Sequence, residues 1–367
     1  MLFRKTYLES RSVLANSGEK TTDLRVRDPI TAIWLEIRAT NSTTNNQDNT
    51  MAQNISAIEV LDGSDVIYSL DGEEALALTA HYLGHIPNQL ISEHPSVGQS
   101  LSILIPFGRW IGDPVYAFDP ARFTNPQVRV TWNLAAVNAI GVTGFGTGTG
   151  RLTILPIIMQ NGGRPRGLLT IKQQYTSTGA ASGDDFVELP RDLRYLAIML
   201  RAYKTVTAVY NVLDDVKLSI DQDRIVPFNM RMSDLLRFNS LEQDRFHYRH
   251  GFHKADTDTI KTILKHAEMV SLTSYNLDDT VFRYNSLYYG EGVLNIDTAA
   301  SPQSSDVYIF ADVHGYAPYG CLWIPFGEFK EPADWLRVTD YKSFRAILTQ
   351  EVASATIAIC TVQERLY

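Results

Sequence analysis

Cysteine is nearly absent from this sequence. Two residues, Cys321 and Cys360, among 367 exclude a disulfide framework and a four-cysteine zinc site. Both stand in apolar, strand-like runs, where a thiol serves as a small buried hydrophobe. Long apolar stretches are missing too. None approaches the ~18 residues that a membrane-spanning helix needs. Basic charge is in deficit: 33 Lys and Arg face 41 Asp and Glu, a formal net charge of -8. That balance argues against gripping nucleic acid, which takes cations clustered against phosphate. The opening residues Met1-Leu2-Phe3-Arg4-Lys5 lack the apolar centre of a signal peptide, so synthesis and folding in a cytoplasm are expected.

What is present fits a globular chain with a substantial core: 44% hydrophobic and 20% charged residues over a length that suggests two domains. The dominant signal has period two. Val128, Val130, Trp132 and Leu134 alternate with polar neighbours. Ile33, Leu35 and Ile37 alternate with Trp34, Glu36 and Arg38. Such patterns mark half-buried strands. Turn clusters such as Asp62-Gly63, Asp71-Gly72 and Asn161-Gly162 separate them, supplying the positive φ of tight turns. Helix signals are few. They cover 73–83, capped by Asp71, then 233–241 and 257–270.

One phrase occurs twice. Ile105-Pro106-Phe107-Gly108 returns as Ile324-Pro325-Phe326-Gly327, each after an apolar run and each followed by an acid-Pro pair, Asp113-Pro114 and Glu331-Pro332. The neighbouring segments recur in the same order. Arg38-Ala39 matches Arg201-Ala202, an offset of 163 residues (38 to 201). Ile58 matches Val216 at an offset of 158, with Val66-Ile67 matching Ile225-Val226. Arg129 matches Arg345 at 216, and Gln160 matches Gln363 at 203. Strands keep their length while loops drift, so the chain reads as one fold built twice. The offset rises from 158 to 219 before the second Ile-Pro-Phe-Gly, which locates an insertion of 61 residues at about 244–307. That is too long for an idle loop. The expected domains are 1–163, with an N-terminal arm, and 164–367, which carries the insertion.

These features resemble the double-jelly-roll major capsid proteins of tailless icosahedral viruses of the adenovirus-type lineage, which often contain a membrane; within it, a bacteriophage protein is the expectation. The stretch from Ile103 to Leu134 is similar to that family's order of apolar strand, Pro-Phe-Gly, Asp-Pro, Asn-Pro-Gln and alternating strand. The resemblance implies an all-β fold of two tandem eight-stranded jelly-roll sandwiches with a few short helices. It implies a homotrimer of pseudo-hexagonal outline that assembles into a virion shell made in the host cytoplasm. The implied partners are neighbouring capsomers, penton and minor capsid proteins, and an internal viral membrane met by the N-terminal Leu2, Phe3, Tyr7 and Leu8. For that terminus, fraying or pairing into a sheet is the favoured expectation. Exposed aromatics would serve lateral contacts, with Trp110, Tyr116, Tyr288, Tyr289, Tyr316 and Tyr319 as candidates and core packing as their ordinary alternative.

No catalytic, cofactor-binding or metal-binding residue is assigned. His247, His250 and His253 share a face only if the segment is helical, and no acidic base stands at metalloprotease spacing. His81 and His85 lack the intervening Glu of a zincin motif. The Gly-rich run 144–150 precedes a strand rather than a helix and lacks the Lys-Ser/Thr of a phosphate loop. Residues 179–185 read as a turn, and Ser177, Thr178 and Ser182 lie outside any nucleophile elbow. The competing function is a carbohydrate-binding or carbohydrate-active β-sandwich, which needs paired carboxylates that the sequence does not offer.

Overall fold

The computed structural model describes residues 2–44, 46, 49–92, 94–136, 144–204, 207–254, 260–267, 269–276, 281–286, 290–296 and 307–367, with backbone alone between 250 and 309. The first half contains β1 (Leu2–Lys5), β2 (Glu9–Val13), β3 (Ser17–Asp23), β4 (Ile30–Thr40), β5 (Ile55–Asp62), β6 (Asp65–Leu70), β7 (Gly98–Pro106), β8 (Pro126–Asn133) and β9 (Arg151–Gln160). Helix α1 (Gly72–Leu83) follows β6. The second half begins with β10 (Gly167–Thr178), β11 (Gly183–Glu188), β12 (Arg194–Tyr203), β13 (Leu213–Ile220), β14 (Asn229–Arg231) and α2 (Met232–Glu242). It continues through β15 (Phe246–Lys254), β16 (Ile260–Ala267), β17 (Met269–Asn276), β18 (Val281–Ser286), β19 (Gly290–Ile296) and β20 (Val307–Gly315). It closes with β21 (Cys321–Pro325), β22 (Phe344–Gln350) and β23 (Thr356–Leu366).

The halves share one strand order. The first has layers β1-β9-β4-β7 and β6-β5-β8-β3, with β2 also beside β9. The second has β10-β23-β12-β21 and β14-β13-β22-β11. Each half is therefore a two-layer sandwich, and each has a short helix after the strand at the same place. A parallel contact joins them: Ile171 and Lys172 of β10 pair with Tyr68 and Ser69 of β6. This fuses one layer of each half into a sheet of eight strands and covers two edges that would otherwise invite pairing.

Register shows how the copies correspond. A bulge between Ile30 and Ala32 in β4 recurs between Tyr195 and Ala197 in β12. Ile30 bridges Phe118 as Tyr195 bridges Leu336. Pro106 ends β7 opposite Ala32, and Pro325 ends β21 opposite Ala197. The β4 and β12 copies thus differ by 165 residues (32 to 197), two more than the Arg38–Arg201 match in the sequence, so Arg201 corresponds to Glu36. The last strands slip by two as well: Ile157 faces Ala32 and Val362 faces Ala197, an offset of 205 rather than 203. Side chains alternate with period two, so a slip of two leaves the in-out pattern intact and invisible to pattern matching. Ile225 makes a single bridge to Ile220, and the counterpart of β6 is β14 instead.

The expected helices at 73–83 and 233–241 are α1 and α2. The expected helix at 257–270 is not a helix. Its described residues belong to β16 and β17, which pair with β19 and with β18 and β20. Ile260, Ile263, Leu264 and Ala267 fit a helical stripe, but Thr259, Ile260, Thr262 and Ile263 are β-branched, and the available partner strands decide the outcome.

The second half's β12 is buried on both faces. Ile198, Leu200, Leu322 and Ile324 join that half's own core, whereas Ala197, Met199, Cys321 and Trp323 join the core of the first half. The repeated glycine has a steric cause. A Cβ on Gly108 would lie 2.3 Å from the Tyr116 carbonyl oxygen. Gly327 combines φ +91° with a Cβ position 2.5 Å from the Asp334 carbonyl oxygen. Gly108→Ala and Gly327→Ala are each expected to destabilise the fold by about 2–3 kcal/mol in urea titrations. Gly98→Ala, whose Cβ would meet nothing within 4 Å, should be near neutral.

Candidate functional site

The seat of α1 between the two halves concentrates the molecule's buried charge. Asp71 caps the helix by accepting the Glu74 N–H at 2.7 Å, and the Glu74 carboxylate accepts the Asp71 N–H at 3.3 Å in return. Gly84, at φ 72°, ends the helix in the left-handed conformation. Every residue from Gly72 to Ala80 is buried. One side of the helix holds its own half: the Leu104 N–H donates to Thr79 Oγ1 at 3.0 Å. The other side meets β12 and β21 of the second half. Arg201 Nη1 donates to Asp71 Oδ2 at 2.6 Å, and Nη2 donates to the Glu73 carboxylate. Gln173 of β10 donates to Glu74 Oε1 at 2.7 Å. His81 Nε2 donates to the Cys321 carbonyl oxygen at 2.9 Å, with its ring 5.8 Å from that of Trp323.

Three carboxylates thus surround one guanidinium, two bonded to it and the third, Glu74, bonded to Gln173. Burial pushes Glu74 up to about 7, the Asp71 charge adds to the rise, and Arg201 opposes it. Burial also raises Asp71, with Arg201 again opposing. Burial acts to lower Arg201, but the Glu73 and Asp71 charges outweigh it and hold the guanidinium protonated. Burial lowers His81 to about 4, its bond to the Cys321 carbonyl working the other way, so the ring is neutral near pH 7. The buried thiols of Cys321 and Cys360 are raised by desolvation, which leaves them unreactive.

A second contact between halves lies at the rim that follows the first Ile-Pro-Phe-Gly. Arg109 makes a buried forked pair with Asp113, at 2.7 and 3.0 Å, and donates from Nη1 to the Lys330 carbonyl of the other half. Its guanidinium covers Trp110 and Tyr116 at 4.4 and 5.0 Å. Tyr116 packs on Trp335 and donates its hydroxyl to Glu364. The corresponding rim of the second half opens instead onto a cleft of about 740 Å³ between the C-terminal ends of the two helices, lined by His81, Glu242, Trp323 and Phe329 among others.

The histidines singled out in the sequence do not converge. His247 lies on strand β15, 3.4 Å from Asp312 Oδ1 and stacked on His314. A spacing of three changes faces along a strand, so His247, His250 and His253 do not share one face. The side chains of His250 and His253 lie outside the described residues. His85 sits on the turn past α1, bonded to the Leu83 carbonyl. Among the described residues no group of three His, Cys, Asp or Glu side chains is placed to hold a metal ion. The run 144–150 is a turn tied to Asn16, which bonds both Thr147 and the Gly148 N–H, and it leads into β9. Residues 179–185 lead into β11, where Asp185 accepts from Tyr175 and Gln350. Tyr116 and Tyr319 are core residues, Trp110 is exposed at the rim, and Tyr288 and Tyr289 lie outside the described residues. The Arg201 cluster is barely visible in the sequence. Its one signal is a lone Arg inside the apolar run from Leu196 to Ala202.

The cluster makes a signed pH prediction. Glu74 holds its proton in the folded chain up to about pH 7 but loses it near the ordinary 4.5 when unfolded. Its contribution to stability is therefore full below pH 4.5 and is lost as pH rises toward 7. His81 is neutral in the fold down to about pH 4, while the unfolded chain protonates near 6.5. Its contribution is full above 6.5 and is lost as pH falls toward 4. The two slopes oppose each other between about 4.5 and 6.5. Glu74→Gln should therefore steepen the rise of melting temperature from pH 5 to 6.5 relative to wild type, and His81→Asn should turn it toward a fall. Parallel profiles for all three proteins would show that neither group titrates as described.

No family model matches the chain, and no curated protein matches it in sequence. Solved structures do match it in shape. The STIV major capsid protein superposes with a TM-score of 0.59 at 10% identity, over 100% of this chain and 97% of that one. A chain of the atomic structure of Sulfolobus Turreted Icosahedral Virus also gives 0.59 at 10% identity, over 99% and 91%. The major capsid protein P2 of bacteriophage PM2 gives 0.52 at 10% identity, over 99% and 98%. With the same strand order in both halves and this likeness along its whole length, the chain has the double-jelly-roll fold.

Proposed function

We propose that this chain is the major capsid protein of an icosahedral virus, a structural subunit rather than an enzyme. The observation that carries the reading is the duplicated strand order, matched end to end by capsid proteins of two viruses. Two similar halves per chain give a trimer six similar flanks, so one sequence can tile a near-hexagonal lattice. The function is self-assembly: trimers of pseudo-hexagonal outline form first, then pack laterally into the shell of the virion. The two domains are 1–163 and 164–367, and the insertion at 244–307 belongs to the second. Neighbouring capsomers are the main partners, with penton and minor proteins at special positions. The N-terminal β1 pairs with β9 and leaves Leu2 and Phe3 exposed, an apolar edge suited to an internal membrane.

Light scattering behind size exclusion should give a mass of about three times 41.2 kDa, or larger shells. A monomer that binds glycans would sink the proposal. Removing 255–306 while joining β15 to β20 should leave the melting temperature within a few degrees of wild type, because Phe246, Ala311 and Val313, which belong to the main core, are retained. The same deletion should weaken trimer formation; full trimerisation would make the insertion a surface decoration. A cut through 244–307 would remove β15 with Phe246 and should destabilise the fold itself.

A further inference from the structure

The two rims that follow the repeated Ile-Pro-Phe-Gly differ in one residue with a large consequence. After Gly108 stands Arg109, and after Gly327 stands Glu328. At the first rim the guanidinium fills the space: it pairs with Asp113, reaches the Lys330 carbonyl and lies over Trp110 and Tyr116. At the second rim that cation is replaced by an acid, and the cleft of about 740 Å³ opens there. Its volume is in the range of small-molecule sites, and a shell-forming role makes no use of it.

The walls are held in place. His81 is fixed by the Cys321 carbonyl. The Glu328 carbonyl accepts from the Trp335 indole at 3.0 Å and from the Glu331 N–H at 3.1 Å, and the Asp334 N–H donates to the Glu331 carbonyl at 3.0 Å. On the facing side, Glu242 ends α2, where the Gln243 N–H donates to the Asn239 carbonyl at 2.8 Å.

What lines these walls defines the ligand. Glu242, Glu328 and Asp334 face the cleft, and among the described residues none of their carboxylates has a hydrogen-bond or ion-pair partner. Trp323 lines it too, is only 7% exposed, and finds no acceptor for its indole N–H among the described residues. Phe329 and Pro325 add half-buried apolar surface. A metal ion does not suit this set, because among the described residues no three acids or imidazoles converge on one point. A polyammonium ion would suit the carboxylates but offers nothing for the indole to donate to. Hydroxyl groups both donate and accept, so a polyhydroxylated ligand matches the acids and the N–H together. Three carboxylates would repel an anionic one.

We propose that this cleft binds a neutral oligosaccharide. Glu242, Glu328 and Asp334 accept from its hydroxyls, Trp323 donates to one, and Phe329 packs against the apolar face of a sugar ring. The site is separate from shell assembly and does not depend on that reading.

The test uses the full-length chain. Saturation-transfer NMR with lactose, cellobiose and N,N′-diacetylchitobiose at millimolar concentration should show binding of at least one, unchanged as salt is raised, and no binding of sialyllactose. Phe329→Ala should weaken that binding at least tenfold. Glu328→Arg, which gives the exposed second-rim position the residue of the first, should abolish it while melting temperature and oligomeric mass stay as in wild type. Binding of none of the three neutral sugars overturns the proposal. So does a cleft that takes spermidine alone, with affinity falling steeply as salt rises, since that is a cation site. Sugar binding that survives Glu328→Arg lies elsewhere on the molecule and overturns it as well. Each of these results leaves the capsid reading untouched, because light scattering reads the trimer separately.

Discussion

A guanidinium cannot be buried without partners, and the organisation of this molecule follows from where the partners of Arg201 come from. Its carboxylates, Asp71 and Glu73, belong to the other half of the chain. Asp71 is at the same time the cap of α1, so the helix start and the interhalf contact rest on one side chain. Desolvating these charges is expensive, and only their mutual pairing offsets it. Separating the halves would leave both sides charged and unpaired. Glu74 relieves the excess by keeping its proton to about pH 7, which leaves it bonded to Gln173 of the second half. The polar cluster therefore fixes where α1 sits, and α1 in turn covers the outer face of β12.

Three further contacts converge on the same arrangement. The parallel pairing of β6 with β10 continues one layer into the next. Arg109 holds Asp113 and the Lys330 carbonyl together at the rim. The C-terminal Tyr367 reaches back across the chain, its hydroxyl donating to the Ala117 carbonyl and accepting the Asp119 N–H, both at 2.7 Å. Each contact is made from residues far apart in sequence, and each occurs where an isolated sandwich would expose a sheet face, an edge or a rim. The two halves complete one another rather than standing as independent folds joined by a linker.

The elements governed by local chemistry were legible before the structure. The alternation of Val128, Val130 and Trp132, the Asp71 cap and the Ile-Pro-Phe-Gly strand ends each depend on neighbours in the chain, and each stands as read. Register was not legible. Matching Arg38 to Arg201 preserved facing but was two residues off, because period-two patterns are indifferent to that slip. The segment 257–270 could be read with either periodicity, and its pairings with β19 and β20 are made with strands further along the chain, beyond the reach of local pattern. The interhalf cluster escaped for a related reason. Asp71 reads as a helix cap and Arg201 as one member of a repeated pair, and nothing local indicates that 130 residues separate a buried acid from its base.

The two-residue correction to the register changes what the duplication means. With Arg201 set against Arg38, the copies look alike in charge, and either helix would suit either sheet. With Arg201 set against Glu36, the same strand position holds a base in one half and an acid in the other, and each is paired differently: Arg201 by carboxylates of the other half, Glu36 by Arg38 of its own strand at 2.7 Å. Duplication supplied two similar sandwiches, and the change at this one position makes only the second half's strand depend on a helix from the other half for its buried charge.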